Sequence, residues 1–130
     1  MTKKRLSGAF TLVELIMVIV VIGLLAAVVV PKFTSIKTEA QNAAEIGTVT
    51  AVRSGINLAH LTTLAQGGDS YPSALDSASN APAGIANPLF ANVIDGGVTD
   101  ANWEKTGTND YRFIPTNRTF TYTPATGKFE

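Results

Sequence analysis

A single acid, Glu14, interrupts an apolar run that otherwise extends from Phe10 to Val30, and Lys3, Lys4 and Arg5 precede it. Thr11 and Glu14 are the only polar residues in those twenty-one. At ~1.5 Å of rise per residue the run makes a helix of roughly 30 Å, enough to cross a bilayer core. A carboxylate at the centre of such a helix costs about 2.5 kcal/mol or more; Glu14, about 6 Å along it from Phe10, either pairs with a cation or reaches the headgroup region. The basic cluster stays on the cytoplasmic side by the positive-inside bias, which puts everything after Pro31 across the membrane. A cleavable secretory signal would have a shorter apolar core and end at a small-residue site, which Ala26 to Val30 does not offer. A plain uncleaved anchor fits the length but gives the acid no purpose.

Other reactive constellations are sparse. His60 is the only histidine and lies among Leu58, Ala59 and Leu61, where a hydrogen-bonded packing role is expected. The chain has no cysteine, no G-x-S-x-G, no H-E-x-x-H and no glycine-rich phosphate loop, so it is not expected to be an enzyme or to carry a cofactor. Asp95, Asp100 and Asp110, with Gly96 and Gly97 after the first, are the one set of oxygen donors that suggests calcium. Their spacing matches no EF-hand, and solvated turn acids with no metal are the expectation. Without Lys3, Lys4 and Arg5 the chain has seven basic against ten acidic residues, singly scattered, so nucleic acid is not an expected partner.

The segment Ser7-Gly8-Ala9-Phe10-Thr11-Leu12-Val13-Glu14-Leu15 resembles the processing site of type IV prepilins and type II secretion pseudopilins, and the resemblance runs on through Gly23 and Val30-Pro31-Lys32-Phe33. It implies a leader, residues 1–9, removed by a prepilin peptidase, methylation of the new amine on Phe10, and packing of the freed helices into a filament core. The family carries Gly directly before the Phe, whereas Ala9 stands here and Gly8 one step back. Cleavage between Ala9 and Phe10 keeps Glu14, Gly23 and Pro31 at the family's spacing; cleavage between Gly8 and Ala9 is the alternative. The new amine, with an ordinary pKa of about 8, would neutralise Glu14 of a neighbouring subunit where a lone charge is very unfavourable.

The elements that position these residues follow from periodicity. Residues 10–31 form the membrane and filament-core helix, whose segment between Gly23 and Pro31 is its weak part, because Gly lowers helix propensity and Pro cannot donate its backbone hydrogen bond. An amphipathic stalk continues over 32–66, with Phe33, Ile36, Ala40, Ala43, Ala44, Gly47, Val52, Ile56, Ala59 and Leu64 as its apolar face and Glu45 among its polar positions. Gln66-Gly67-Gly68 should end it. Residues 67–102 read as a long ordered loop with short helical turns at Ser73-Ala74-Leu75 and after Asn87-Pro88. Residues 103–130 predict a small antiparallel β-meander: a strand opened by Trp103, a strand over Tyr111–Ile114, a turn at Pro115–Arg118, alternation over Thr119–Thr123, and a return toward Phe129.

The fold class is therefore α+β: one long N-terminal helix, half membrane and half stalk, packed against a small C-terminal meander, with 32–130 as the head. The expected function is that of a structural subunit of a type IV pilus-like filament for adhesion or motility. The alternatives are a pseudopilin of a type II secretion system and, in another class, a monomeric membrane-anchored binding module. The implied partners are further copies of itself, the prepilin peptidase, the inner-membrane assembly machinery and the membrane. The precursor is expected in the inner membrane with its head in the periplasm, and the assembled filament outside the cell.

Overall fold

The computed structural model describes residues 8–130; Lys3, Lys4, Arg5 and Ser7 of the expected leader lie outside the described residues. Its elements are one helix, α1 (Leu12–Ala65), followed by β1 (Trp103–Lys105), β2 (Asp110–Phe113), β3 (Arg118–Thr123) and β4 (Lys128–Phe129). The chain divides after Glu39, and Ala40–Glu130 form one compact unit, the head. Helix α1 is continuous through Gly23 and Pro31.

The helix ends where its glycines predict. Gly67 takes φ +84°, its N–H donates to the Leu64 carbonyl at 3.0 Å, and the Gly68 N–H reaches back to the Thr63 carbonyl, also at 3.0 Å. This pair of bonds is a Schellman motif, and it satisfies two carbonyls that the last turn would otherwise leave open.

The sheet is a four-stranded antiparallel meander in the order β1-β2-β3-β4. Strict alternation puts Tyr111, Phe113, Phe120 and Tyr122 on one buried face, with Thr119, Thr121 and Thr123 outward. Register is fixed by the pairs Trp103 with Phe113, Tyr111 with Phe120, and Tyr122 with Phe129. The β2–β3 turn closes through Asn117, whose N–H donates to the Ile114 carbonyl and whose φ of 55° suits an Asn side chain. The outer edge of β1 is covered by the loop: the Ala83 N–H donates to the Trp103 carbonyl, and the Lys105 N–H to the Ala81 carbonyl. A covered edge offers no template for stray strand pairing.

Core packing rotates the helix face relative to the sequence expectation. The buried positions are Glu45, Val49, Val52 and Ile56, while Phe33, Ile36, Ala40, Ala43, Ala44, Gly47 and Leu64 are exposed. Val49, Val52 and Ile56 meet a cluster of Phe90, Trp103, Tyr111, Phe113, Phe120, Tyr122 and Phe129. Ala40, Ala43, Ala44 and Gly47 are too small to fill the space opposite such large rings, Phe33 and Ile36 precede the head, and periodicity places Glu45 outside because its partners are far away in sequence.

Residues 67–102 form no helix among the described residues and no turn at Ser73–Leu75, contrary to expectation, but a single helical turn does follow Asn87-Pro88: the Ile94 and Val93 N–H groups both donate to the Phe90 carbonyl, at 2.9 and 3.0 Å. Leu89 bridges Val98 rather than joining that turn, and Phe90 takes φ 59°, which keeps the turn from growing into a helix. Asn87 does not cap a helix. Its side chain accepts from the Ser79 N–H and donates to the Ser79 and Pro82 carbonyls, tying one arm of the loop to the other.

Gly55 is the point where this loop reaches α1. A Cβ there would lie 2.0 Å from the Val93 carbonyl oxygen, so only glycine lets the two backbones meet. Gly55→Ala should therefore destabilise the head by about 1–3 kcal/mol, the usual cost of overpacking, read as a lower denaturation midpoint. Gly47→Ala, where a Cβ meets nothing within 4 Å, should instead be neutral or slightly stabilising, since alanine is the better helix former.

Candidate assembly site

Thr11 immediately precedes α1, and Glu14 is its third residue. The Thr11 N–H and hydroxyl both donate to Glu14 Oε2, at 2.8 and 2.9 Å, and Thr11 Oγ1 accepts from the Glu14 N–H at 3.2 Å. This reciprocal arrangement is a capping box, which satisfies donors that the first turn of any helix leaves open. The acid of the apolar run thus has a partner within its own chain, which the sequence reading missed although the Thr-x-x-Glu spacing signals it. Only one carboxylate oxygen is engaged: among the described residues nothing donates to Oε1.

Gly8, Ala9 and Phe10 lie ahead of the helix in irregular backbone, so the Gly8-Ala9 and Ala9-Phe10 peptides are both outside it. The Phe10 side chain is 87% exposed. Every large apolar side chain from Leu12 to Val30 is exposed as well. By length and composition α1 can cross a membrane. A stripe this apolar is stable only in lipid or against other apolar surface, since each such side chain gains about 1.5–3 kcal/mol on leaving water.

Two buried carboxylates hold the head together. Asp76, between the loop and the sheet, accepts from Lys105 Nζ at 2.6 Å, the Tyr111 hydroxyl at 2.9 Å, the Phe90 N–H at 2.9 Å and the Ala78 N–H at 3.1 Å. Burial pushes the Tyr111 phenol well above its ordinary range, and the Asp76 charge beside it adds to the shift. Glu45, 1% exposed, takes Arg118 Nη1 at 2.6 Å and the Thr116 hydroxyl, locking the β2–β3 turn to the helix. Each carboxylate has its cation and further donors, the condition under which buried charge is tolerated.

His60 has the packing role expected of it. It stacks on Tyr71 with ring centroids 4.0 Å apart, and its Nδ1 lies 3.1 Å from the Ser70 carbonyl. Tyr71 in turn fills the space that a Cβ on Gly127 would need. The three candidate calcium acids serve turns and strands or stand alone: Asp100 accepts from the Asn102 N–H, Asp110 from the Thr121 hydroxyl, and Asp95 is exposed. No three His, Cys, Asp or Glu side chains gather into a metal-sized group among the described residues.

The raised Tyr111 pKa makes the head sensitive to alkali. Above its ordinary pKa of about 10 the phenol of the unfolded chain loses its proton while the buried one keeps it, so stability is full below that pH and falls as pH rises further. Urea unfolding followed by circular dichroism should show a lower midpoint at pH ~11 than at pH ~8. Tyr111→Phe should unfold more easily at the lower pH, having lost its bond to Asp76, but should show a smaller alkaline drop.

No protein-family model matches the chain, and no solved structure matches it. Among curated proteins it is similar to the type IV narrow pilus major component PilA5 of Thermus thermophilus, with 46% identity over 50 residues. That stretch is 38% of this chain and 43% of the relative, so the match spans about two-fifths of the protein it resembles.

Proposed function

We propose that the chain is a type IV pilin-like subunit: a precursor anchored by α1 in the inner membrane and matured into a filament by packing its apolar helix against those of its copies. The observation that carries this reading is the state of Glu14, an acid in an exposed apolar helix with one carboxylate oxygen engaged by Thr11 and the other open. In the mature subunit Oε1 takes the α-amine of Phe10 from a neighbour, a pairing the capping box does not obstruct because it uses Oε2. The similarity to a pilus major component favours a pilus over a secretion pseudopilus.

Processing precedes assembly in this reading. A prepilin peptidase cuts between Ala9 and Phe10, and the Phe10 amine is methylated, keeping it basic. The head crosses to the periplasm and travels outside the cell with the filament, where it serves adhesion or motility. The segment from Gly23 to Pro31, continuous in the isolated chain, is where the helix loosens once packed, since its backbone is least well held there.

Glu14→Gln separates this function from simple anchoring. Glutamine keeps the capping box, which accepts Glu or Gln at this position, but carries no charge for an amine. The variant should enter the membrane as well as wild type and fail to enter filaments, because removing one partner of a buried pair costs about 3–5 kcal/mol. Fractionation and electron microscopy of cells making each protein read both outcomes. Normal filaments from a pure Glu14→Gln protein would reduce the acid to a helix cap, and a mature protein that still begins at Met1 would remove the prepilin assignment itself.

A further inference from the structure

The head carries charges of opposite sign, without ion-pair partners among the described residues, on opposite flanks of its helix. Of the five Lys and Arg residues from Ala40 onward, Lys105, Arg112 and Arg118 are in ion pairs with Asp76, Glu104 and Glu45. The other two, Arg53 and Lys128, line one hollow of about 270 Å³ together with Asn57, Gly127, Phe129 and Glu130. Arg53 Nε donates to the Phe129 carbonyl at 2.9 Å, which fixes its guanidinium over the outer edge of β4. Glu130 lines the same hollow without forming an ion pair with either cation among the described residues.

The other flank is acidic. Arg53 and Gly55 are two residues apart on α1 and so point about 160° away from each other. Gly55 is where Val93 touches the helix. Two residues beyond Val93 stands Asp95, followed by Asp100, both exposed and without an ion-pair partner among the described residues. Gly96 and Gly97, with φ of 73° and 66°, turn the backbone between them, and the bonds between Leu89 and Val98 pin the base of that turn.

We infer that the Arg53–Lys128 hollow receives the Asp95–Asp100 turn of a second copy of this chain. A pocket on one flank and its charge complement on the opposite flank cannot close a two-fold dimer. They join head to tail, and such heterologous contacts propagate into rings or open filaments. The contact would set the rotation and rise between neighbouring heads, a specifying role that suits surface charges better than driving association does. The inference rests on the filament reading above and adds to it the surface by which the heads register.

Because the chain has no cysteine, two can be introduced without a background. Both Asp95 and Lys128 are exposed, so neither substitution disturbs the core. Filaments of the double variant Asp95→Cys with Lys128→Cys should give a ladder of cross-linked dimers, trimers and longer chains on mild oxidation, whereas each single variant should give no ladder. In separate variants, Lys128→Glu should reduce filament yield and Asp95→Lys in the same chain should restore it. Filaments of the double-cysteine protein that form normally but yield no ladder, together with a charge-reversed variant that assembles like wild type, would overturn this contact while leaving the filament reading intact. Absence of filaments from the unaltered chain would instead overturn the filament reading.

Discussion

The carboxylate of Asp76 lies within the aromatic core and takes hydrogen bonds from a lysine, a tyrosine and two backbone N–H groups. These donors come from the loop and from two strands, so one side chain fixes how the loop lies on the sheet. The contact matters because the long loop is low in regular structure and would otherwise have little to hold it. Its removal would leave Lys105 buried without a counter-ion, a larger penalty than the loss of any one hydrogen bond. The Phe90 N–H that Asp76 accepts belongs to a residue with positive φ, and the aromatic ring so placed packs against Trp103, Tyr111 and Phe129. Electrostatics and packing are therefore one device here: the acid sets the backbone, and the backbone sets the ring.

A second constraint acts on α1 before the head begins. An apolar helix must be kept from water, and an acid within it must be kept from isolation. The Thr11–Glu14 box meets the second requirement locally, without help from another subunit. An unassembled chain can then reside in a bilayer without a free carboxylate, because the same residue that caps the helix start masks half of the acid. In the filament proposed above, the open oxygen is the atom left for the intersubunit contact, so that holding and assembly would be sequential uses of one group.

Signals with short sequence reach were legible. Alternation over Thr119–Thr123, the glycines at 67 and 68, and the apolar run all produced the elements they imply, because each depends on neighbours within a few residues. The helix face was rotated because Val49 and Glu45 owe their burial to Phe120 and Arg118, residues some seventy positions away. Neither buried acid's ion pair could be read in advance, since nothing in the local pattern of Asp76 or Glu45 distinguishes a clamp from a solvated acid. The turn expected after Asn87-Pro88 forms as one turn only, from Phe90 to Ile94, and without Asn87 as its cap, for the same reason. Asn87 does cap backbone groups, but those of Ser79 and Pro82, and Phe90 is held out of helical conformation by a distant carboxylate.

The head's own fold uses only part of its helix surface. Its own sheet and loop take Glu45, Val49, Val52, Ile56 and the flanking Gly55, leaving Ile46, Leu58, Leu61 and Leu64 apolar and exposed. Substitutions therefore fall into two physically distinct groups. Changes at the buried positions act through the head's fold and reach any function only by lowering the folded fraction. Changes at the exposed apolar positions leave the fold almost untouched, because these side chains bury little in the isolated chain, and act only where another surface comes to cover them. A residue's effect on stability in the isolated chain thus reports which of the two surfaces it serves, and a position neutral there yet disruptive in the assembled state marks contact with a neighbour.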